Sequence, residues 1–267
     1  MRVAGGKVWV LGVTQLHDVV YIVCYESPVI RRFNARTHER LTDITVMGFG
    51  GPQDIAACEL TSVVYVVNKI SMDAECVWRV SSDGEDVKRW LPKSPSDTFK
   101  AQGALSVTSS RLLVTSRSSN QLIQFDSFGD ELSRVDLLDD MEPLHAVESP
   151  AGTFIFSHRD SQWKHGQVSE VNTGGQMLRQ FSGSRLLPLG NIYHVAVDSQ
   201  GHIFVADHDN SRILLLNSEL ALRRIIIDKH QLNYRGPVRL CYTEQTGLLL
   251  VVLQYGRDVA VFDVLCR

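Results

Sequence analysis

A pattern of two short apolar strands around a polar turn recurs along the chain, and this repeat restricts the possible folds more than any other feature. The segment HIFVADHDNSRILLLN (202–217) aligns without a gap with RLLVTSRSSNQLIQFD (111–126) and LLLVVLQYGRDVAVFD (248–263). Aligning the central aromatic or leucine of each unit gives positions roughly 41 to 50 residues apart: Tyr21, Tyr65, Leu113, Phe154, Phe204 and Leu250. This period is typical of propeller blades.

Each unit also contains one strand before the repeated pair and one after it. The preceding strand often begins with proline, as in GPQDIAACE and EPLHAVES, and turns rich in Gly, Ser, Asp and Asn separate the strands. We therefore predict an all-β chain with a single domain over residues 1–267, a six-bladed β-propeller of four-stranded antiparallel blades. The predicted blades are 7–46, 47–93, 101–138, 141–183, 188–228 and 234–267, and residues 1–5 are a candidate for the missing strand of the sixth blade.

The composition is that of an ordinary globular protein, with 44% hydrophobic and 21% charged residues. The longest apolar run, 248–253, is far shorter than the ~18 residues of a membrane-spanning helix. Five cysteines are scattered without a CxxC pair, and four of them lie in apolar runs where cysteine acts as a small hydrophobe. These features predict a reduced, cytoplasmic protein that does not bind membranes and is a monomer as an isolated domain.

The fifth unit, IYHVAVDSQGHIFVADHDNSRILLLN (192–217), resembles an NHL repeat, and the other units share its apolar spacing. The best-known members of this family are the C-terminal domains of the TRIM-NHL ubiquitin ligases, which bind RNA or proteins. The resemblance therefore implies a recognition domain. The sequence has no RING, B-box or coiled-coil pattern, so ligase activity is not carried over.

The polar cluster of this unit is interpreted as structural. Asp207 ends one strand of a hairpin and Arg212 begins the next, so that the two side chains can pair across the turn. An EF-hand is excluded because the loop lacks the glycine and the glutamate that calcium loops need. The GFGG segment (48–51) is a turn, since no strand-then-helix pattern surrounds it.

The register of the repeat assigns the turns to two faces of the propeller. The bottom face is predicted to be acidic, whereas the top face, formed by the loops between second and third strands and between blades, is more basic. Aromatic and cationic side chains on rigidly held loops are typical of recognition surfaces. The predicted partner-binding residues of the top face are Trp163, Lys164, Arg159, Tyr193, His208, Tyr234, Arg235, Tyr255, Arg257, Arg117 and Lys69.

A second set of residues is predicted to converge at the mouth of the central channel. Aligning the innermost strands gives Val10, Asp54, Gly103, His145, His194 and Arg239. Two histidines, an aspartate and an arginine could hold a metal or an anion, as in the amidating lyases that are related to NHL propellers. In PLH, however, the histidine lies one residue later after the proline than in those enzymes, and a third histidine is missing. We therefore expect structural histidines, with no metal, no cofactor and no catalytic residue.

Three functions remain open from the sequence. The first is a non-enzymatic recognition module that binds a protein or peptide through the top face. The second is single-stranded RNA binding through the same face, although the near-neutral pI of about 6.3 argues against strong binding to phosphates. The third is a metal-dependent lyase or hydrolase at the central channel.

Overall fold

The structure is a computed structural model that describes residues 1, 9–71, 74–90, 103–159 and 165–264. Within these ranges all regular structure is β-strand, arranged in six sheets around a central axis. The predicted all-β, six-bladed propeller is thereby confirmed. No helix in the described ranges is long and apolar enough to cross a membrane.

The strands follow one another from the channel outwards in every blade. Blade 1 contains β1 (Val10–Leu16), β2 (Val19–Cys24), β3 (Val29–Asn34) and β4 (Ile44–Thr45). Blade 2 contains β5 (Pro52–Cys58), β6 (Val63–Ser71), β7 (Ala74–Ser81) and β8 (Val87–Trp90). Blade 3 contains β9 (Gly103–Thr108), β10 (Arg111–Ser116), β11 (Gln121–Phe125) and β12 (Glu131–Asp136).

The second half of the chain repeats this order. Blade 4 contains β13 (Glu142–Glu148), β14 (Phe154–Arg159), β15 (Gly166–Val171) and β16 (Met177–Phe181). Blade 5 contains β17 (Ile192–Val197), β18 (Ile203–Asp207), β19 (Arg212–Leu216) and β20 (Leu222–Ile227). Blade 6 contains β21 (Pro237–Thr243), β22 (Leu248–Leu253) and β23 (Val259–Asp263).

The second strand of each blade is buried on both faces, which explains why these segments are continuous apolar runs rather than alternating ones. In β18 all five residues are buried, and Phe204 has no exposed surface. The strand pairing corrects one alignment. Counted from the top end of the strand, the residue of blade 4 that matches Phe204 is Ile155, which pairs with Val147, and not Phe154.

Blade 6 has three described strands, and the first residue of the chain contacts its outer edge. The backbone nitrogen of Met1 donates to the oxygen of Val259 at 2.7 Å, and the nitrogen of Val259 donates back to Met1 at 3.0 Å. This exchange is a hydrogen-bonded antiparallel pair. Met1 therefore joins the end of the chain to its beginning, whereas residues 2–5 of the predicted closing strand lie outside the described residues.

The predicted clasp between Asp207 and Arg212 is confirmed. Arg212 donates from Nε to Asp207 at 2.7 Å and from Nη2 to the oxygen of Pro188 at 2.6 Å. Asn210 and the backbone nitrogen of Gly190 also donate to the carboxylate, which is fully buried. The cluster thus fixes the hairpin β18–β19 to the segment that enters blade 5, and its role is structural.

We expect Asp207→Ala to lower the free energy of unfolding by about 3 kcal/mol, because Nε of Arg212, the amide of Asn210 and the backbone nitrogen of Gly190 would lose the carboxylate that they share. Urea unfolding followed by circular dichroism measures this change. The control is Asp18→Ala, which removes an exposed ion pair with Arg36 whose side chains are 70% and 78% accessible. A loss no larger than that of the control would contradict the structural role.

Candidate functional site

Five of the six innermost strands have a β-bulge close to their top end. The pairing register shifts between Val10 and Gly12, Pro52 and Asp54, Pro143 and His145, Ile192 and His194, and Pro237 and Arg239. A bulge inserts one extra residue and re-aims the side chains on either side of it. The extra residues are Leu11, Gln53, Leu144, Tyr193 and Val238.

All five of these extra residues line one cavity at the top of the channel, which we call the mouth cavity. Its volume is about 460 Å³. The remaining lining residues come from the strand ends and loops around the opening: Trp9, Val10, Lys69, Ala104, Arg117, Arg239, Gln254 and Tyr255. The bulges thus contribute to a pocket with charged, polar, aromatic and aliphatic walls at the top of the ring of innermost strands.

Directly below the mouth cavity the structure brings together four of the predicted channel residues. One potential ligand atom from each of Asp54, His145 and His194 lies within 4.8 Å of the others. Arg239 donates from Nε to Oδ1 of Asp54 at 3.2 Å. The pairing register corrects the two other positions: the equivalents in blades 1 and 3 are Gly12 and Ala104, not Val10 and Gly103. The turns that follow β1 and β9 have only two residues, so the first hairpins of these blades are shorter than the alignment assumed.

Backbone groups and Arg239 already use much of the hydrogen-bonding capacity of this cluster. The carboxylate of Asp54 accepts from the backbone nitrogens of Ile55 and Leu105, both at 3.0 Å. Nε2 of His145 lies 3.4 Å from the oxygen of Leu105, and the nitrogen of Val195 donates to its Nδ1 at 3.5 Å. These contacts assign the Nε2–H tautomer to His145, since only that nitrogen faces an acceptor.

Burial keeps both imidazole rings neutral at neutral pH. Loss of hydration lowers the pKa of His145 to about 4, although the Asp54 carboxylate opposes the change and Arg239 adds to it. The pKa of His194 lies well below its usual value, again because of burial, with His145 and Arg239 lowering it further. A second positive charge beside Arg239 is therefore disfavoured.

The donor set of one aspartate and two histidines is one that zinc prefers, but its geometry does not fit a metal ion. The rings of His145 and His194 stack with their centroids 3.5 Å apart and their planes at 22°. Since the lone pairs lie in the ring planes, an ion shared by stacked rings would lie outside both planes. Asp54 is also committed to Arg239 and to two backbone donors. The cluster is best described as a polar layer that supports the floor of the mouth cavity.

The predicted top-face residues that the structure describes fall into three groups. Lys69, Arg117, Tyr193 and Tyr255 line the mouth cavity. Arg159 and His208 contact Tyr193 without lining the cavity themselves. Nη2 of Arg159 donates to the hydroxyl oxygen of Tyr193 at 3.2 Å, and the ring centroids of His208 and Tyr193 are 4.6 Å apart. Tyr234, Arg235 and Arg257 lie outside the cavity, and Trp163 and Lys164 are outside the described residues.

Trp9 is a cavity residue that the sequence reasoning missed. The centroid of its ring lies 5.6 Å from that of Tyr25 and 5.4 Å from that of Tyr255, which places Trp9 between blades 1 and 6. Gln53 and Gln254 were missed as well. The available signal for Trp9 was its position immediately before the first innermost strand, where the equivalent loops of other blades contribute to the top face.

We expect the stability of the protein to fall as the pH decreases from about 6.5 to about 4. His145 takes up a proton near pH 6.5 when unfolded but only near pH 4 when folded, so its contribution is complete above this window and is lost within it. Each pH unit within the window costs about 1.4 kcal/mol for this residue. His145→Gln should therefore lose less stability between pH 7 and pH 5 than the wild type in urea unfolding. Equal losses in the two proteins would show that His145 is not held neutral.

Comparison with known proteins supports the assignment of the repeat. The NHL repeat family model matches residues 195–214, which include the clasp of Asp207 and Arg212. No curated protein sequence matches the chain.

Several solved structures have the same fold. Kuenenia stuttgartiensis hydrazine synthase is 12% identical, with a TM-score of 0.68 over 98% of this chain and 97% of that chain. A Bacteroides thetaiotaomicron protein of unknown function is 14% identical, with a TM-score of 0.73 over 98% and 72%. A chain of the nidogen/laminin complex is 14% identical, with a TM-score of 0.63 over 83% and 81%. At these identities the similarity concerns the fold alone. This chain is therefore a six-bladed β-propeller that carries an NHL repeat in its fifth blade.

Proposed function

We propose that this protein is a non-enzymatic recognition module that binds a protein or peptide through the mouth cavity. The observation that carries the proposal is the wall of the cavity, in which three aromatic and three cationic side chains surround one opening. Aromatic and arginine side chains in pockets contribute most of the binding free energy at protein interfaces. Bulges and strand ends hold several of them, so that little conformational entropy is lost when a partner binds.

The dimensions of the site favour an extended segment of a partner. A cavity of about 460 Å³ is large enough for a few side chains but not for a folded element. Around it the top face offers further contact surface, since Tyr255 is 69% exposed and Tyr234 is 64% exposed. A peptide could therefore place one anchor in the cavity while its neighbouring residues lie across the loops.

Single-stranded RNA is the second candidate, and the aromatic side chains favour it. Trp9, Tyr25 and Tyr255 form a continuous group of exposed rings on which bases could stack. The charges favour a peptide, however. Arg117 is paired with Glu142 and Arg239 with Asp54, so few cations of the cavity remain to neutralise phosphates.

We expect the full chain to select binders from a phage-displayed library of random linear peptides, and Tyr255→Ala to weaken a selected peptide about tenfold. The physical reason is that the substitution removes an aromatic wall of the cavity and its contact with Trp9. Fluorescence polarisation with the synthetic peptide measures the affinity. The control is Phe128→Ser, which removes a 76% exposed aromatic ring on the bottom face.

Gel shifts with a random single-stranded RNA pool, at low and at moderate salt, test the alternative. Tight RNA binding that weakens steeply with salt, together with no selected peptide, would replace the peptide proposal by the RNA one. Equal effects of the Tyr255 and Phe128 substitutions would also contradict the proposal, because they would place the binding surface elsewhere.

A further inference from the structure

The charged residues that the structure places in the wall of the mouth cavity are all basic. Lys69 enters from blade 2, Arg117 from blade 3 and Arg239 from blade 6, and no aspartate or glutamate of the described residues lines the cavity. The whole chain, in contrast, has 30 acidic against 27 basic residues. The cavity therefore differs in charge from the protein as a whole and favours an anionic group.

The two arginines are held by carboxylates that do not line the cavity. Arg117 donates from Nε to Glu142 at 3.0 Å, and Arg239 uses Nε for Asp54 and Nη1 for the oxygen of Val238. These bonds fix the planes of both guanidinium groups. Nη2 of Arg239 makes no hydrogen bond to any described residue, so this donor remains available to a ligand.

Lys69 differs from the two arginines in its ion pairing. Among the residues whose side chains the structure describes, its ammonium group has no ion-pair partner, while Arg117 and Arg239 each have one. Its backbone is fixed by a 2.8 Å hydrogen bond from its nitrogen to the oxygen of Gly51. An anion that enters the cavity can therefore pair with Lys69 without displacing any carboxylate that the structure describes.

The aromatic side chains of the cavity indicate which chemical group lies next to the bound anion. Trp9 and Tyr255 lie with their rings 5.4 Å apart at the junction of blades 6 and 1, and Tyr193 continues the aromatic wall in blade 5. Arg159 holds Tyr193 in place by a hydrogen bond to its hydroxyl oxygen. Lys69 and Arg117 thus lie in blades 2 and 3, and the guanidinium group of Arg239 reaches from blade 6 to Asp54 of blade 2. The aromatic side chains lie in blades 5, 6 and 1.

We propose that the mouth cavity binds a peptide carboxylate that lies next to an apolar or aromatic side chain. The inference rests on the proposed function and names the class of peptide that this site recognises. The carboxylate contacts Lys69 and the free edge of Arg239, and the apolar group packs on the rings of Trp9, Tyr193 and Tyr255. The same chemistry is offered by the C-terminus of a chain and by an internal aspartate or glutamate.

The test uses four labelled peptides in fluorescence polarisation with the full chain. Gly-Ser-Leu-Phe with a free C-terminus is compared with its C-terminal amide, and Gly-Asp-Leu-Phe amide with Gly-Asn-Leu-Phe amide. We expect the free acid or the aspartate peptide to bind about tenfold more tightly than its neutral counterpart, as for a hydrogen bond to a charged group. The pair that shows the difference identifies the source of the carboxylate. Peptides selected from the library should likewise contain this group.

Matched charge reversals locate the effect. Lys69→Glu should abolish the preference for the charged peptide, whereas Lys229→Glu makes the same change on an exposed top-face residue outside the cavity and should preserve it. Neutral and charged peptides that bind equally, or a preference that survives Lys69→Glu, would overturn the inference and leave peptide binding intact. Failure to select any peptide would instead overturn the proposed function.

Discussion

The closed ring of innermost strands is the constraint on which the rest of this structure depends. Each of these strands pairs with only one strand of its own sheet and packs against the innermost strands of the two neighbouring blades. The packing is close: a Cβ atom on Gly12 would lie 3.0 Å from side-chain atoms of both Ile55 and Val23. The two faces of each blade are therefore buried against the adjacent blades. All six sheets together fix the positions of the side chains at the top of the ring.

Arginine–carboxylate pairs connect the blades where the apolar core ends. On the bottom face Arg111 of blade 3 binds Glu148 of blade 4, whose carboxylate side chain is only 4% accessible. On the top face Arg117 binds Glu142 between the same two blades. Because a bidentate or buried pair fixes orientation as well as charge, these contacts hold the blades in register around the channel. These contacts therefore also hold the strand ends that line the mouth cavity.

The repeat and the proline-led strands were enough to predict the fold and much of the channel floor. Asp54, His145 and Arg239 each follow a proline by two residues, so their alignment needed no structural information. Blades 1 and 3 have no such proline and have shorter first hairpins, so their equivalent positions were misplaced at Val10 and Gly103 instead of Gly12 and Ala104. In blade 4 the alignment of the second strand was wrong by one residue, at Phe154 instead of Ile155.

The mouth cavity could not be predicted in the same way, because it is built from bulges. A bulge depends on how a strand fits its neighbours, and the sequence of Leu11 or Val238 contains no separate signal for it. Arg117, Lys69 and Tyr255 were identified from their turns, but their convergence follows only from the geometry of the ring.

The contact between Trp9 and Tyr255 has a further thermodynamic consequence. The two rings belong to the first and last blades, and the nitrogen of Val10 donates to the oxygen of Gly256 at the same junction. A ligand that packs on both rings holds the two ends of the chain together. Its binding free energy then adds to the free energy of ring closure, so that occupancy of the cavity and integrity of the propeller are linked equilibria.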